Sequence, residues 1–206
     1  QQRTFNPMRT GTNRRAVTII ATLLFAMTAA VAMAQEDLEE RKSAAETASS
    51  TLIQELGRAL KTSMANSGPE GAIEVCRDIA PGIANDLSLK NGWKVTRVGT
   101  RVRNSMMGIP DEWEQIGLKY FSEQIEAGTA PADLSYQDVV AEGGQRYFRF
   151  MKPIVTQPLC LSCHGPADAL SPAIQAVLEQ QYPHDKAINY AVGELRGAVS
   201  IKQPLE

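Results

Sequence analysis

The chain holds 206 residues, 43% of them hydrophobic and 21% charged, which suits a folded domain with a sizeable core and not a disordered chain. Its 21 basic and 23 acidic residues nearly cancel. Residues 1–34 carry four of the basic groups and none of the acidic ones, leaving 17 basic against 23 acidic residues, a net −6, with no basic block. That balance argues against nucleic acid as a partner.

The first segment reads as an export leader. Arg9, Arg14 and Arg15 precede an apolar run from Ala16 to Ala34, and Ala32-Met33-Ala34 before Gln35 has the small-x-small form of a signal-peptidase site. Met8 is the natural start. The expected division is therefore 1–34 as upstream residues plus leader and 35–206 as one exported, periplasmic domain with no stable membrane span. The alternative is an uncleaved N-terminal anchor, since the run is just long enough to cross a bilayer.

Residues 37–66 predict a long helix, with Leu38, Ala45, Leu52, Leu56, Leu60 and Met64 on one stripe. Gly68-Pro69 breaks it. A second helix over Pro69–Ala80 puts Ala72, Ile73, Cys76, Ile79 and Ala80 on one face. Spacing alone makes Cys76 a buried small hydrophobe; a metal-ligating thiolate is the other reading. Trp93–Val98 follows an Asn-Gly turn as a strand, leading into Arg97, Arg101 and Arg103. Pro110–Gly128 is a third helix, whose Glu112 and Glu114 read as complements to its N-terminus and not as acid–base groups. Ser135–Glu142 and Arg146–Ile154 form a hairpin about Gly143-Gly144, Pro172–Gln180 a short helix, and Gly197–Lys202 a last strand. Helices precede antiparallel strands, which defines an α+β class.

Between the hairpin and the short helix lies Cys160-Leu161-Ser162-Cys163-His164. This C-x-x-C-H pattern is that of covalent c-type haem attachment. Each thiol adds across one vinyl group, and the adjacent His164 supplies the proximal iron ligand. A thioredoxin-like redox pair, half a zinc site or a disulfide are the other readings. Three cysteines and two histidines leave zinc few spare ligands, and no βαβ unit frames a redox pair. One haem c is the expected cofactor. Its propionates are anionic and arginine binds carboxylates in bidentate fashion, so Arg97 and Arg103 are candidate contacts; a solvated, charged strand edge is the other reading.

Several segments together resemble the Tll0287-like haem family. They are Val75-Cys76 with Ala80-Pro81, Val95-Thr96-Arg97, Arg103-Asn104, Pro110-Asp111-Glu112-Trp113-Glu114, Lys152-Pro153-Ile154, Cys160 to Gly165, Tyr182 to Ala187 and Gly193 to Ala198. The resemblance implies a PAS-like antiparallel sheet with flanking helices and one c-type haem. It also implies that Cys76 is the distal iron ligand, ahead of His184, Met106, Met107 and Met151. The chain departs from the family's Asn-Pro-x-Asn at Asn104-Ser105-Met106-Met107-Gly108, next to the expected haem loop.

Two functions are expected. One is a redox or gas-responsive sensor acting through a separate signalling protein; the other is a small periplasmic electron carrier with a redox partner protein. No nucleophile–base pair or phosphate-cradling loop points to an enzyme. Oligomeric state has no signature in the sequence.

Overall fold

The computed structural model describes residues 14–205, with side chains from Gln35 onward. The leader and its cleavage point lie outside the residues whose side chains are described. The chain divides into two compact units, 1–40 and 41–206. Among the described residues no helix is long and apolar enough to cross a membrane.

Helix α1 (Arg14–Glu74) is interrupted at Gly68, whose φ of 68° and ψ of −172° lie in a region that is essentially glycine's alone. Pro69 then restarts the helix, as the Gly-Pro pair predicts. The second helical stretch does not stop at Ala80. It passes through one π-helical turn, Val75–Ile79, and continues as α2 (Ala80–Asn91). Pro81 is the cause: an α-helical proline loses its amide bond and drives its ring into the carbonyl four residues back. The wide turn gives that ring room, and the Ala80 amide bonds Val75 O instead. Cys76 sits inside this turn.

Strands β1 (Lys94–Gly99), β2 (Tyr136–Glu142), β3 (Gln145–Val155) and β4 (Leu195–Leu205) form one antiparallel sheet in the order β1-β4-β3-β2. The expected α+β class is the one observed. Helix α3 (Glu112–Glu126) is closed by a capping box in which Asp111 and Glu114 each accept from the other's backbone. This is the structural role expected of Glu114. Helix α3 packs on one sheet face through Leu118 and Phe121 against Val98, Met151 and Ala198.

The period-two alternation of strands turns Val95, Arg97, Ile154 and Gly197 to the opposite face. That face is met by α1, α2 and the loops after β3. A shift in register at Ile154/Val155 ends the β3–β4 ladder and redirects the chain into the cysteine segment. Gly197 permits the closest approach of β4 to β1, since a Cβ there would lie 2.0 Å from Val98 O.

Candidate functional site

The C-x-x-C-H segment folds as a 3₁₀ turn (Pro158–Cys160) running into a single helical turn, α4 (Leu161–His164). This curls Cys160, Cys163 and His164 toward the second sheet face. They line a cavity of about 570 Å³ together with Cys76, Arg97, Arg103 and Arg196. That volume falls within the range of cofactor pockets. Cys76 reaches the cavity from the π turn, and Leu56, Leu60, Met64, Ala72 and Ile73 make its helical wall apolar. Every site residue read from the sequence therefore meets in one place. Of the competing ligands, Met106 and Met107 also line the cavity, whereas His184 and Met151 do not. Met151 belongs to the core beneath α3, and His184 is exposed.

The segment Asp185–Tyr190 straps the cysteine turn in place. Tyr190 N donates to His164 O at 2.9 Å and Asn189 N to Gly165 O at 2.8 Å. His164 Nδ1 lies 2.6 Å from Ala187 O. A carbonyl only accepts, so Nδ1 carries the proton and Nε2 keeps its lone pair. Burial, followed by the charges of Arg103 and Arg196, holds the imidazole pKa well below its ordinary value. The ring is thus neutral, oriented and equipped to ligate a metal through Nε2.

The remaining readings of the two cysteines fit poorly. Burial pushes the Cys163 thiol up to about 11, against the opposing pull of Arg103, so it is no reactive thiolate. All three cysteines are free. No cluster of three or more His, Cys, Asp or Glu suited to a metal ion occurs among the described residues, which leaves zinc without its ligand set.

The cavity's charge is positive. Burial lowers the pKa of Arg97, opposed by Cys76 and reinforced by Arg196. Burial also lowers that of Arg196, opposed by Tyr190. A guanidinium stays charged despite such shifts. Among the described residues no hydrogen bond or ion pair engages Arg97. Arg196 donates only to Arg101 O at 3.0 Å and, at 3.5 Å, to the Tyr190 hydroxyl. Arg97 and Arg196 are both half-buried, and a cation partly withdrawn from water without a carboxylate favours the arrival of an anion from elsewhere. Arg103 differs: its Nε pairs with Asp185 at 2.9 Å, and one Nη donates to Cys163 O at 2.5 Å.

Arg196, Asp185 and the Ala187 carbonyl have no place among the site residues that the sequence suggests. A carbonyl has no sequence signature. Arg196 and Asp185 lie in two of the family-like segments, but nothing local tells a cavity arginine from a surface one.

An α+β domain whose sheet and helices enclose an arginine-lined cavity, with a C-x-x-C-H turn at its edge, is the class of protein defined here. The family model for Tll0287-like proteins matches residues 14–204, and the chain belongs to that family. Among solved structures it is similar to the crystal structure of the cyanobacterial heme-protein Tll0287, at 23% identity and a TM-score of 0.58, over 83% of this chain and 96% of that one. A search of the curated proteins gives no match.

Proposed function

We propose that this chain is an exported mono-haem c-type protein, working as a redox or gas-responsive sensor through a partner. The observation that carries the reading is the 2.6 Å bond from His164 Nδ1 to Ala187 O, which leaves Nε2 free on the same cavity as Cys76, Cys160 and Cys163. Membership of the family and likeness to a solved haem protein support haem as the cofactor.

In this reading Cys160 and Cys163 would hold the haem as thioethers, His164 and Cys76 would ligate its iron, and Arg97 and Arg196 would meet the propionates. The bound haem supplies one-electron exchange. Cys76 gives up its thiol proton on ligation and takes one back on release. A thiolate favours the ferric state, and each tenfold preference lowers a one-electron potential by about 59 mV. With His164 and Cys76 both ligating, the iron would offer substrate no open position, and the reading includes no enzymatic activity.

The π turn supports sensing. Such turns hold one residue more than the α-helix and recur at functional sites. Release of Cys76 on reduction would free the turn that joins α1 to α2, so that ligand state would become helix position. The test is electron paramagnetic resonance of the oxidised, haem-loaded protein beside Cys76→Ala. A low-spin thiolate signal lost in the variant is the expected result; identical spectra would remove Cys76 from the iron.

One observation favours the second reading, electron transfer. Met106, Met107 and Ile109 are 90%, 54% and 62% exposed, and the two methionines also line the cavity. An apolar rim at a haem edge is where a redox partner docks. Rapid, reversible electron exchange with a small c-type cytochrome, unaffected by Cys76→Ala, is the outcome that would favour it.

A further inference from the structure

Arg103 and Asp185 are 82 residues apart in the chain, yet their side chains are 8% and 9% exposed and meet at 2.9 Å. The pair does more than neutralise itself. Arg103 Nη2 donates to Cys163 O at 2.5 Å, within the attachment turn, and more weakly to Ala187 O at 3.4 Å. The second oxygen of Asp185 accepts from Ala187 N at 2.7 Å. The carbonyl of the same Ala187 receives His164 Nδ1. The backbone adds one more tie, from Lys186 N to Val102 O at 2.9 Å. Two charged side chains thus fix both the turn that carries His164 and the carbonyl that orients its ring.

An ion pair this enclosed is a poor source of net stability, because desolvation offsets most of its attraction. Its connections suit another task. Hydrogen bonds to the non-ligating nitrogen of a metal-bound histidine set ring orientation and ligand basicity. The guanidinium also places a full positive charge against the His164 backbone, with Asp185 as its counter-charge.

We propose that Arg103 and Asp185 form the positioning element of His164, setting its ring orientation and the charge balance that determines the haem reduction potential. This rests on the reading of His164 as the iron ligand. A positive charge near the iron favours the reduced form. Loss of Asp185 unmasks Arg103, and loss of Arg103 unmasks Asp185, so the two losses act in opposite senses. A role confined to holding the fold would loosen the same turn either way and shift both in one direction.

The experiment is a redox titration of the haem-loaded protein, with dithionite as the one-electron donor and ferricyanide as acceptor, so that only the iron changes oxidation state. Asp185→Asn is expected to raise the midpoint and Arg103→Gln to lower it, each by about a tenfold change in ferric-to-ferrous preference, or about 59 mV. The double variant returns toward wild type. Arg103→Lys, which keeps the charge but loses the planar fork, stays near the wild-type midpoint while its ferrous iron–histidine Raman band moves. Shifts in one direction, unchanged midpoints, or variants that accumulate only as unfolded haem-free chain would each overturn the proposal. His164→Ala is measured beside them. If it leaves the wild-type Raman and absorption spectra intact, the ligand reading itself has failed, and the pair with it. If it alters them while the pair's variants do not, the ligand stands and only the pair falls.

Discussion

The two faces of the sheet both bury arginine, and they neutralise it in different ways. Beneath α3, Arg149 is 3% exposed and faces three carboxylates, at 2.7 Å from Asp111, 3.3 Å from Glu114 and 3.1 Å from Glu142. Its guanidinium carbon also lies 4.4 Å from the centre of the Trp113 ring. On the cavity face Arg97 and Arg196 are half-buried and form no ion pair among the described residues, whereas Arg103 is paired with Asp185. Where the chain uses arginine to build, it supplies the anions itself. At Arg97 and Arg196 no such anion is supplied, which is what the proposed haem propionates would provide. Unpaired, half-buried cations around one cavity are a better signature of an anionic cofactor than basic residues counted along the sequence.

The sharpest way to break this contrast is at the attachment turn. Cys160→Ser with Cys163→Ser should abolish haem that survives denaturation, read as the mass of the unfolded chain. Retained haem mass would place the attachment elsewhere. Next in size is the opposite face. Arg149→Met leaves Glu114 buried without its cation, a loss of about 3–5 kcal/mol by urea unfolding, with the haem spectrum unchanged. A spectral change as large as the stability change would mean that the two faces are not separable.

Arg97 should behave in the reverse sense. In haem-loaded protein, Arg97→Leu should lower the midpoint potential if Arg97 meets a propionate as proposed. In a chain with both attachment cysteines replaced by serine, the same substitution removes an uncompensated cation and is neutral or stabilising by about 1 kcal/mol. Urea unfolding of the two backgrounds reads this reversal, and a loss of equal size in both would show that Arg97 is structural.

Much of this frame is legible in the sequence because its signals are local. The Gly68-Pro69 break, the acidic first turn of α3, the Gly143-Gly144 hairpin and the C-x-x-C-H turn each depend on residues within a few positions of one another. The continuation of the Cys76 helix was not legible. Pro81 reads as a stop, and only a π turn, which no periodicity announces, carries the helix past it. The strap from Asp185 to Tyr190 and the role of Arg196 were hidden for a different reason. Their partners, among them Arg103 and the backbone of His164 and Gly165, are brought to them by tertiary packing. For Arg103 the sequence shows the charge, but the two carbonyls and the carboxylate that absorb it appear only in the fold.

The smallest effect expected is in acid, and it separates the faces by sign and origin. Glu142 is held below its ordinary pKa chiefly by its hydrogen bond to Lys202. Burial pushes Asp111 up, but the bonds from Arg149 and the Glu114 amide outweigh it and leave it lowered. A carboxyl with a depressed folded pKa contributes stability that is present above its unfolded value and is lost as pH falls through the folded one. The window therefore opens near the unfolded carboxylate values of about 4 and extends downward. Glu142 and Asp111 are partly exposed, at 35% and 50%, so salt should weaken the effect. Lys202→Met should flatten the fall in unfolding free energy over this window by releasing Glu142, whereas Arg97→Leu, with no carboxylate partner to release, should leave the slope as it is. Urea titrations from pH 5 to pH 2 at low and high salt make the comparison. An equal flattening by Arg97→Leu would mean that Arg97 has a carboxylate partner after all, and the contrast between the two kinds of arginine would be lost.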